Sequence, residues 1–391
     1  MHLVDRAPVG YRDPWLLPLE ERIDRLRARP HRIAWLMEAP DWGTFRYRAW
    51  NMAELLAERH PEVGTAWFYG DEIERLASLA PLLRTLVIVR SRYTWAIDDL
   101  VSRVHRHGGE VVFDIDDLIL DPALIPVFLR TTGYGWDDEA AWTHWFGYAA
   151  RMQATFRLAD RAIASTEPLA AEMARIHPVR VDHLPNHLDP PQLAISERVW
   201  REKESARFAG DGAIHLGYFS GTRSHDRDLV LATDALARLF DEMDDLRLLL
   251  VGDVEPTGPI LRHAGRIVRV PRTDFVHLQA WMGAVELNLV PLQEDRFTVC
   301  KSPLKVFEAG AVGTPSIASP GSTAAAEVVR SGAGWIAHSE DWEPALRAAV
   351  AVARDREGAY AAIARRAREA TLAAWSPDAI GPLADRIYLG G

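Results

Sequence analysis

KSPLKVFEAGAVGTPSIAS, residues 301–319, holds a helix start, a short helix, a hard stop and a buried strand in one run. Ser302 suits an N-cap and Pro303 the first helical position, where a missing N–H goes unmissed. Residues 304–312 are good helix formers with an apolar stripe; Gly313 ends them and Pro315 keeps the helix from resuming. Residues 316–319 have the length of a buried strand. Lys305 and Glu308 stand three apart and share one side of the helix. A helix N-terminus with a lysine beside it can hold a phosphate, and a carboxylate one turn further in can grip a ribose diol. An ordinary surface Lys–Glu pair fits the same spacing.

Outward from this block, strands and helices alternate in both directions. In the first half the pattern predicts strands at 32–37, 65–69, 86–90, 110–113, 161–164 and 179–184, with helices at 19–29, 48–59, 98–107, 137–159 and 167–176. In the second half it predicts strands at 214–219, 246–251, 267–270 and 287–290, with helices at 228–241, 273–283, 340–356, 360–374 and 378–388. Apolar strands alternating with helices mean parallel sheets covered on both faces, an α/β fold. Residues 187–212 interrupt the series with Pro190-Pro191, a charged helix at 196–208 and Gly210-Asp211-Gly212. The expected division is therefore a first Rossmann-like domain over 1–195, with a polar lead-in at 1–30, and a second over 196–375.

A chain of 391 residues is long for one core, so two domains agree with its length. A formal charge of -10 argues against a general nucleic-acid binder. The single cysteine, Cys300, excludes a disulfide framework and a multi-cysteine zinc site. No apolar run has membrane-spanning length, and MHLVDRAPVGYRDPW does not read as a signal peptide, so a cytoplasmic location is the expectation.

Open α/β sheets bind ligands beyond the carboxyl ends of their strands. The polar residues predicted there are Asp114 to Asp117, Asn186, residues 220–227, Gly252-Asp253 and residues 291–305. A carboxylate in the Phe113-Asp114-Ile115-Asp116-Asp117 turn can hold hydroxyls of a ligand or stabilise a developing positive charge; an acidic helix cap is the plainer reading. The aromatic run Tyr134, Trp136, Trp142, Trp145, Phe146 and Tyr148 fits an acceptor groove, a membrane contact or core packing.

These pieces together resemble a family. Tyr218-Phe219-Ser220-Gly221-Thr222 before a helix, the LLLVGD and NLVPL strands, the opening block, and Glu327 before Ser331-Gly332-Ala333-Gly334-Trp335 carry the resemblance in the second half. Arg46-Tyr47-Arg48 before a helix, and Val181-Asp182-His183-Leu184-Pro185-Asn186 before the linker, carry it in the first. Over most of residues 31–388 the chain resembles glycosyltransferases of the GT-B fold, closest to retaining family 4, the glycosyl transferases group 1.

The resemblance implies two Rossmann-like domains facing across a cleft, with a last helix at 376–391 returning to the first domain. It implies that the first domain binds an acceptor and the second a nucleoside-diphosphate sugar. The expected reaction is transfer of the sugar to an acceptor hydroxyl with retention, in bacterial polysaccharide, glycolipid or secondary-metabolite glycosylation. The acceptor would be a glycan, a lipid-linked or a small molecule, with peripheral contact to the inner face of a membrane left open. No metal, nucleic acid or cofactor beyond the donor co-substrate is expected. By position, Glu308 would bind the ribose, and Gly221 and Thr222 would bring backbone to the diphosphate. Arg223, His225, Arg227, Lys301, Ser302 and Lys305 would contact the donor. Lys305 and Asp116 would be catalytic, and Arg46, Asp117 and Asn186 would touch acceptor or sugar. One departure is plain: Cys300 stands where the family commonly has a second glutamate, eight residues before Glu308.

Three rivals share parts of this pattern. The acidic turn also resembles the first motif of haloacid-dehalogenase-type phosphatases, with Asp114 as nucleophile and Asp116 as general acid. A nucleotide-sugar 2-epimerase shares the two-domain architecture, and so would a non-catalytic sugar-nucleotide binding module.

Overall fold

The inner strands are apolar on both faces because both faces are covered. Thr85–Val89, for example, is buried at every position. The computed structural model describes residues 1–7, 10–221, 226–338 and 341–390. Its first sheet is built from β1 (His31–Met37), β2 (Val63–Tyr69), β3 (Thr85–Val89), β4 (Glu110–Ile115), β5 (Arg161–Ala164) and β6 (Arg180–His183). Its second is built from β7 (Ile214–Ser220), β8 (Leu246–Gly252), β9 (Ile267–Val270), β10 (Leu287–Val290), β11 (Ser316–Ala318) and β12 (Gly334–Ile336). The orders are β2-β1-β3-β4-β5-β6 and β12-β11-β10-β7-β8-β9, and every pairing is parallel.

Each sheet reverses its direction of growth once, between β1 and β3 and between β7 and β10. Strand ends diverge at such a reversal and leave a crevice. The two crevices face each other, so the loops after β1, β3 and β4 meet those after β7 and β10.

The structure adds elements that the pattern hid. Pro190-Pro191 does not interrupt a loop; it starts a helix, Pro190–Ser205. Asp189 caps that helix by accepting from Gln192 N–H at 2.8 Å, and two prolines lose nothing in a first turn. The helices Ile125–Thr132 and Thr323–Ser331 went unread, as did β12, whose glycine-rich approach looks like turn. In the opening block Ser302 is not a cap, because its hydroxyl has no hydrogen-bond partner among the described residues. Pro303 holds the cap position instead, and the helix runs Leu304–Ala311. Gly313 then turns with φ +64°, where a Cβ would meet the Trp200 ring at 2.3 Å.

The chain crosses between the domains several times. His2 and Val4 pack on the second domain: the His2 ring reaches Tyr360 at 3.0 Å, and Val4 is buried beside Val199 and Val285. The helix Leu19–Arg27 packs on the first domain, with Ile23 and Leu26 buried. The last helix, Pro377–Leu389, returns to the first domain, where Asp385 pairs with Arg59 at 2.6 Å and His60 at 2.8 Å. Among the described residues no helix is long and apolar enough to cross a membrane.

Candidate active site

The facing strand ends enclose a cleft of about 710 Å³ lined by both domains. Against it lies a smaller cavity of about 170 Å³ between the acidic turn after β4 and the start of the helix Leu304–Ala311. Lys305, Lys301, Asp116 and Asp117 line both spaces; Asn186 and Ser302 line the smaller one. Three polar atoms here are buried without a hydrogen-bond partner among the described residues: Lys305 Nζ, Ser302 Oγ and Asn186 Nδ2. Two of them are donors and the third can donate, so the set suits a ligand rich in acceptor oxygens. Lys305 Nζ rests over the Tyr218 ring, 4.5 Å from its centre. Burial pulls its pKa down to about 8, and Lys301 adds to this, while Asp228 and Glu308 work against it.

Glu308 has no such freedom on one of its oxygens. Its Oε1 accepts from Tyr47 OH at 2.5 Å, Arg46 Nη2 at 3.1 Å and Gln192 Nε2 at 3.3 Å. Arg46 also pairs with Asp189 at 2.9 Å and donates from Nε to the Trp42 carbonyl at 3.0 Å. Its guanidinium lies 4.0 Å from the centre of the Tyr47 ring and 4.2 Å from that of Phe275. Arg46, expected at acceptor or sugar, lines the cleft with its guanidinium buried and paired with Asp189 and Glu308.

The acidic turn separates into two functions. Asp114 is fully buried and takes a two-pronged ion pair from Arg48, at 2.7 and 3.0 Å. Arg48 also donates to the Leu184 carbonyl at 2.7 Å and to Asn186 Oδ1 at 3.0 Å, which leaves Asn186 Nδ2 for the cavity. A carboxylate so enclosed cannot attack a phosphate ester, so the phosphatase reading fails at its nucleophile. Asp116 does line the cleft. It accepts from Thr44 at 2.8 Å and from Arg90 at 3.3 Å. Burial raises its pKa to about 6; Arg90 opposes the shift and Asp117 adds to it. Arg90 also reaches Asp117 at 3.4 Å, and Lys301 lies 3.7 Å from Asp117 on the other side.

Of the other expected residues, Gly221 lines the cleft with open space where a Cβ would be. Thr222, Arg223 and His225 lie outside the described residues. Arg227 donates to the Arg130 carbonyl at the end of Ile125–Thr132, a contact between domains rather than with the cavity. Cys300 is buried with Phe297 in the core of the first domain, and its carbonyl accepts from Thr166 at 2.8 Å. The aromatic run divides. Tyr134, Trp145 and Tyr148 line the cleft, whereas Trp136 and Phe146 are exposed.

Nothing in the local sequence assigns a role to Arg90, Tyr47, Gln192 or Asp189, whose partners lie far along the chain. Arg90, directly after β3, has φ +38°, a left-handed backbone that a bulky residue adopts rarely and most often at functional sites.

Residues 214–355 match the family model described as Glycosyl transferases group 1. No curated protein sequence matches the chain. Solved structures similar to it include HepE from Anabaena in complex with UDP, at 14% identity and TM-score 0.60, covering 92% of this chain and 100% of that one. Sucrose-phosphate synthase from Thermosynechococcus elongatus aligns at 15% identity and TM-score 0.58, covering 92% and 98%. WaaG, a glycosyltransferase involved in lipopolysaccharide biosynthesis, aligns at 15% identity and TM-score 0.57, covering 92% and 100%. The second domain thus carries the group 1 match, and the two domains together have the GT-B architecture of these solved structures.

Proposed function

We propose that the enzyme transfers a sugar from a uridine-diphosphate donor to an acceptor hydroxyl, with retention, at the cavity between Asp116 and Lys305. The observation that carries this is the buried Lys305 ammonium, which has no hydrogen-bond partner among the described residues and sits at a helix start. A cation so placed is available to a diphosphate, whose charge grows as the glycosidic bond breaks. Asp116, across the same cavity, is placed to face the positive charge that develops on the departing sugar carbon. Uridine is the base proposed because HepE was solved with UDP and with UDP-glucose. The sugar would be held by Asn186, Asp117 and Lys301, which takes over from the glutamate that Cys300 replaces. The acceptor would enter from the first domain past Tyr134, Trp145 and Tyr148. The proposed setting is cytoplasmic bacterial polysaccharide or glycolipid assembly.

The test is product analysis with a panel of UDP-, GDP- and dTDP-sugars and simple glycoside acceptors. Expected is a new glycosidic bond of unchanged anomeric configuration, formed fastest from a UDP-sugar. An epimerised donor would identify the 2-epimerase instead. Binding without turnover of any donor would identify a sugar-nucleotide binding module.

A further inference from the structure

Three donors converge on one oxygen of Glu308, and among the described residues none reaches the other. Arg46 and Tyr47 come from the first domain and Gln192 from the helix Pro190–Ser205 that spans the domain boundary, although Glu308 belongs to the second domain. We propose that Arg46 and Tyr47 are positioning residues for nucleotide binding: they hold Glu308 by Oε1 so that Oε2 stays turned to the cleft for the ribose diol. This rests on the reading of Glu308 as the ribose ligand and adds which residues of the opposite domain make it competent. A carboxylate on a free side chain samples several rotamers and loses that freedom when ligand binds. Here the loss has already been taken. Arg46 is itself held by Asp189, by the Trp42 carbonyl and between the rings of Tyr47 and Phe275. Its fork therefore presents a fixed direction to Glu308. The contact crosses the cleft, so ribose recognition by Glu308 draws on both domains.

The experiment compares binding of uridine, guanosine and adenosine diphosphates with their 2′-deoxy forms by calorimetry. The proteins are the full-length wild type, Glu308→Gln, Tyr47→Phe and Arg46→Lys. Tyr47→Phe removes one hydroxyl and leaves the ring packed; Arg46→Lys keeps the charge but loses the fork that holds Glu308. The wild type is expected to prefer the ribose form of its best diphosphate by roughly 10-fold or more, the factor a hydrogen bond to a charged group carries. Glu308→Gln should abolish that preference, and Tyr47→Phe and Arg46→Lys should each reduce it to within about 3-fold. A purely structural role would lower the melting temperature and leave the preference intact; that result overturns the inference alone. No preference in the wild type, or a preference untouched by Glu308→Gln, overturns the ribose assignment and the inference with it.

Discussion

Lys305 and Asp116 face one cavity with pKa values pulled toward each other, the lysine to about 8 and the aspartate to about 6, each chiefly by burial. The lysine acts as a cation and so works below its pKa; the aspartate acts as an anion and so works above its own. Activity therefore requires the window between the two. A profile of kcat/KM against pH, which reports groups of the free enzyme, is expected to be a bell with limbs near these values. Lys305→Arg should remove the alkaline limb, since guanidinium stays charged. Asp116→Asn should remove the acid limb and lower kcat while the nucleoside diphosphate Kd holds. Lys305→Ala should lower kcat about 100- to 1,000-fold, as losing an oxyanion donor does. A flat profile from pH 5 to 9 would count against both assignments. The three-residue spacing of Lys305 and Glu308 and the acidic run could be read from the sequence because each is local. The partners could not. Arg48 meets Asp114 across 66 residues and Arg46 meets Glu308 across 262, and nothing in a local pattern encodes such pairs.

At the scale of elements, the segment between β10 and the helix Leu304–Ala311 shows how tertiary packing moves a loop from one domain into the core of the other. It leaves the second domain, inserts Phe297 and Cys300 into the core of the first, and returns. Asp295 bonds Thr131, Arg296 pairs with Glu172 at 2.6 Å, and Phe297 meets Phe128 edge to face. The Cys300 thiol is buried, with its pKa pushed up to about 12 by that burial first and by Glu172 next. A glutamate at this position would be a carboxylate in an apolar core beside another acid, which is costly unless paired. Placing there the glutamate that the resemblance implies is therefore expected to harm the enzyme. Cys300→Glu should lower the melting temperature and loosen the contact between domains, read as a larger radius of gyration in solution scattering. Cys300→Ser, small and neutral, should do much less. A Cys300→Glu enzyme with native stability and higher activity would mean the segment sits differently from the arrangement described. The composition around Cys300 offers no sign of this excursion, because Phe297 and Cys300 are as apolar as any strand-end residues and their destination lies in another domain.

For the whole molecule, two parallel sheets follow from the strand–helix alternation, while their facing arrangement was implied only by the resemblance to GT-B enzymes. The way the halves are tied was less legible. One apolar cluster contains Trp15, Phe45 and Trp50 of the first domain, Phe275 and Val276 of the second, and Ile380, Ile387 and Tyr388 of the last helix. The last helix thus supplies part of the first domain's core after the chain has finished the second. Burying Ile380, Ile387 and Tyr388 contributes roughly 5–9 kcal/mol at ~1.5–3 each, comparable to the ~5–15 kcal/mol that stabilises a whole domain. A chain ending at Ser376 should therefore lose much of the first domain's stability. Its Trp35, which meets the Tyr388 ring at 5.6 Å, would face water. The second domain keeps its sheet, Lys305 and the Gly221 turn. Calorimetry of the shortened chain is expected to resolve two transitions where the full chain shows one, and only the higher one should rise with added UDP, since a ligand stabilises the unit it binds. UDP should still bind, weakened by the loss of Arg46 and Tyr47 behind Glu308, while glycosyl transfer disappears with the cleft. A shortened chain that melts in one transition at the native temperature would show that the last helix is an ornament to the first domain rather than part of its core.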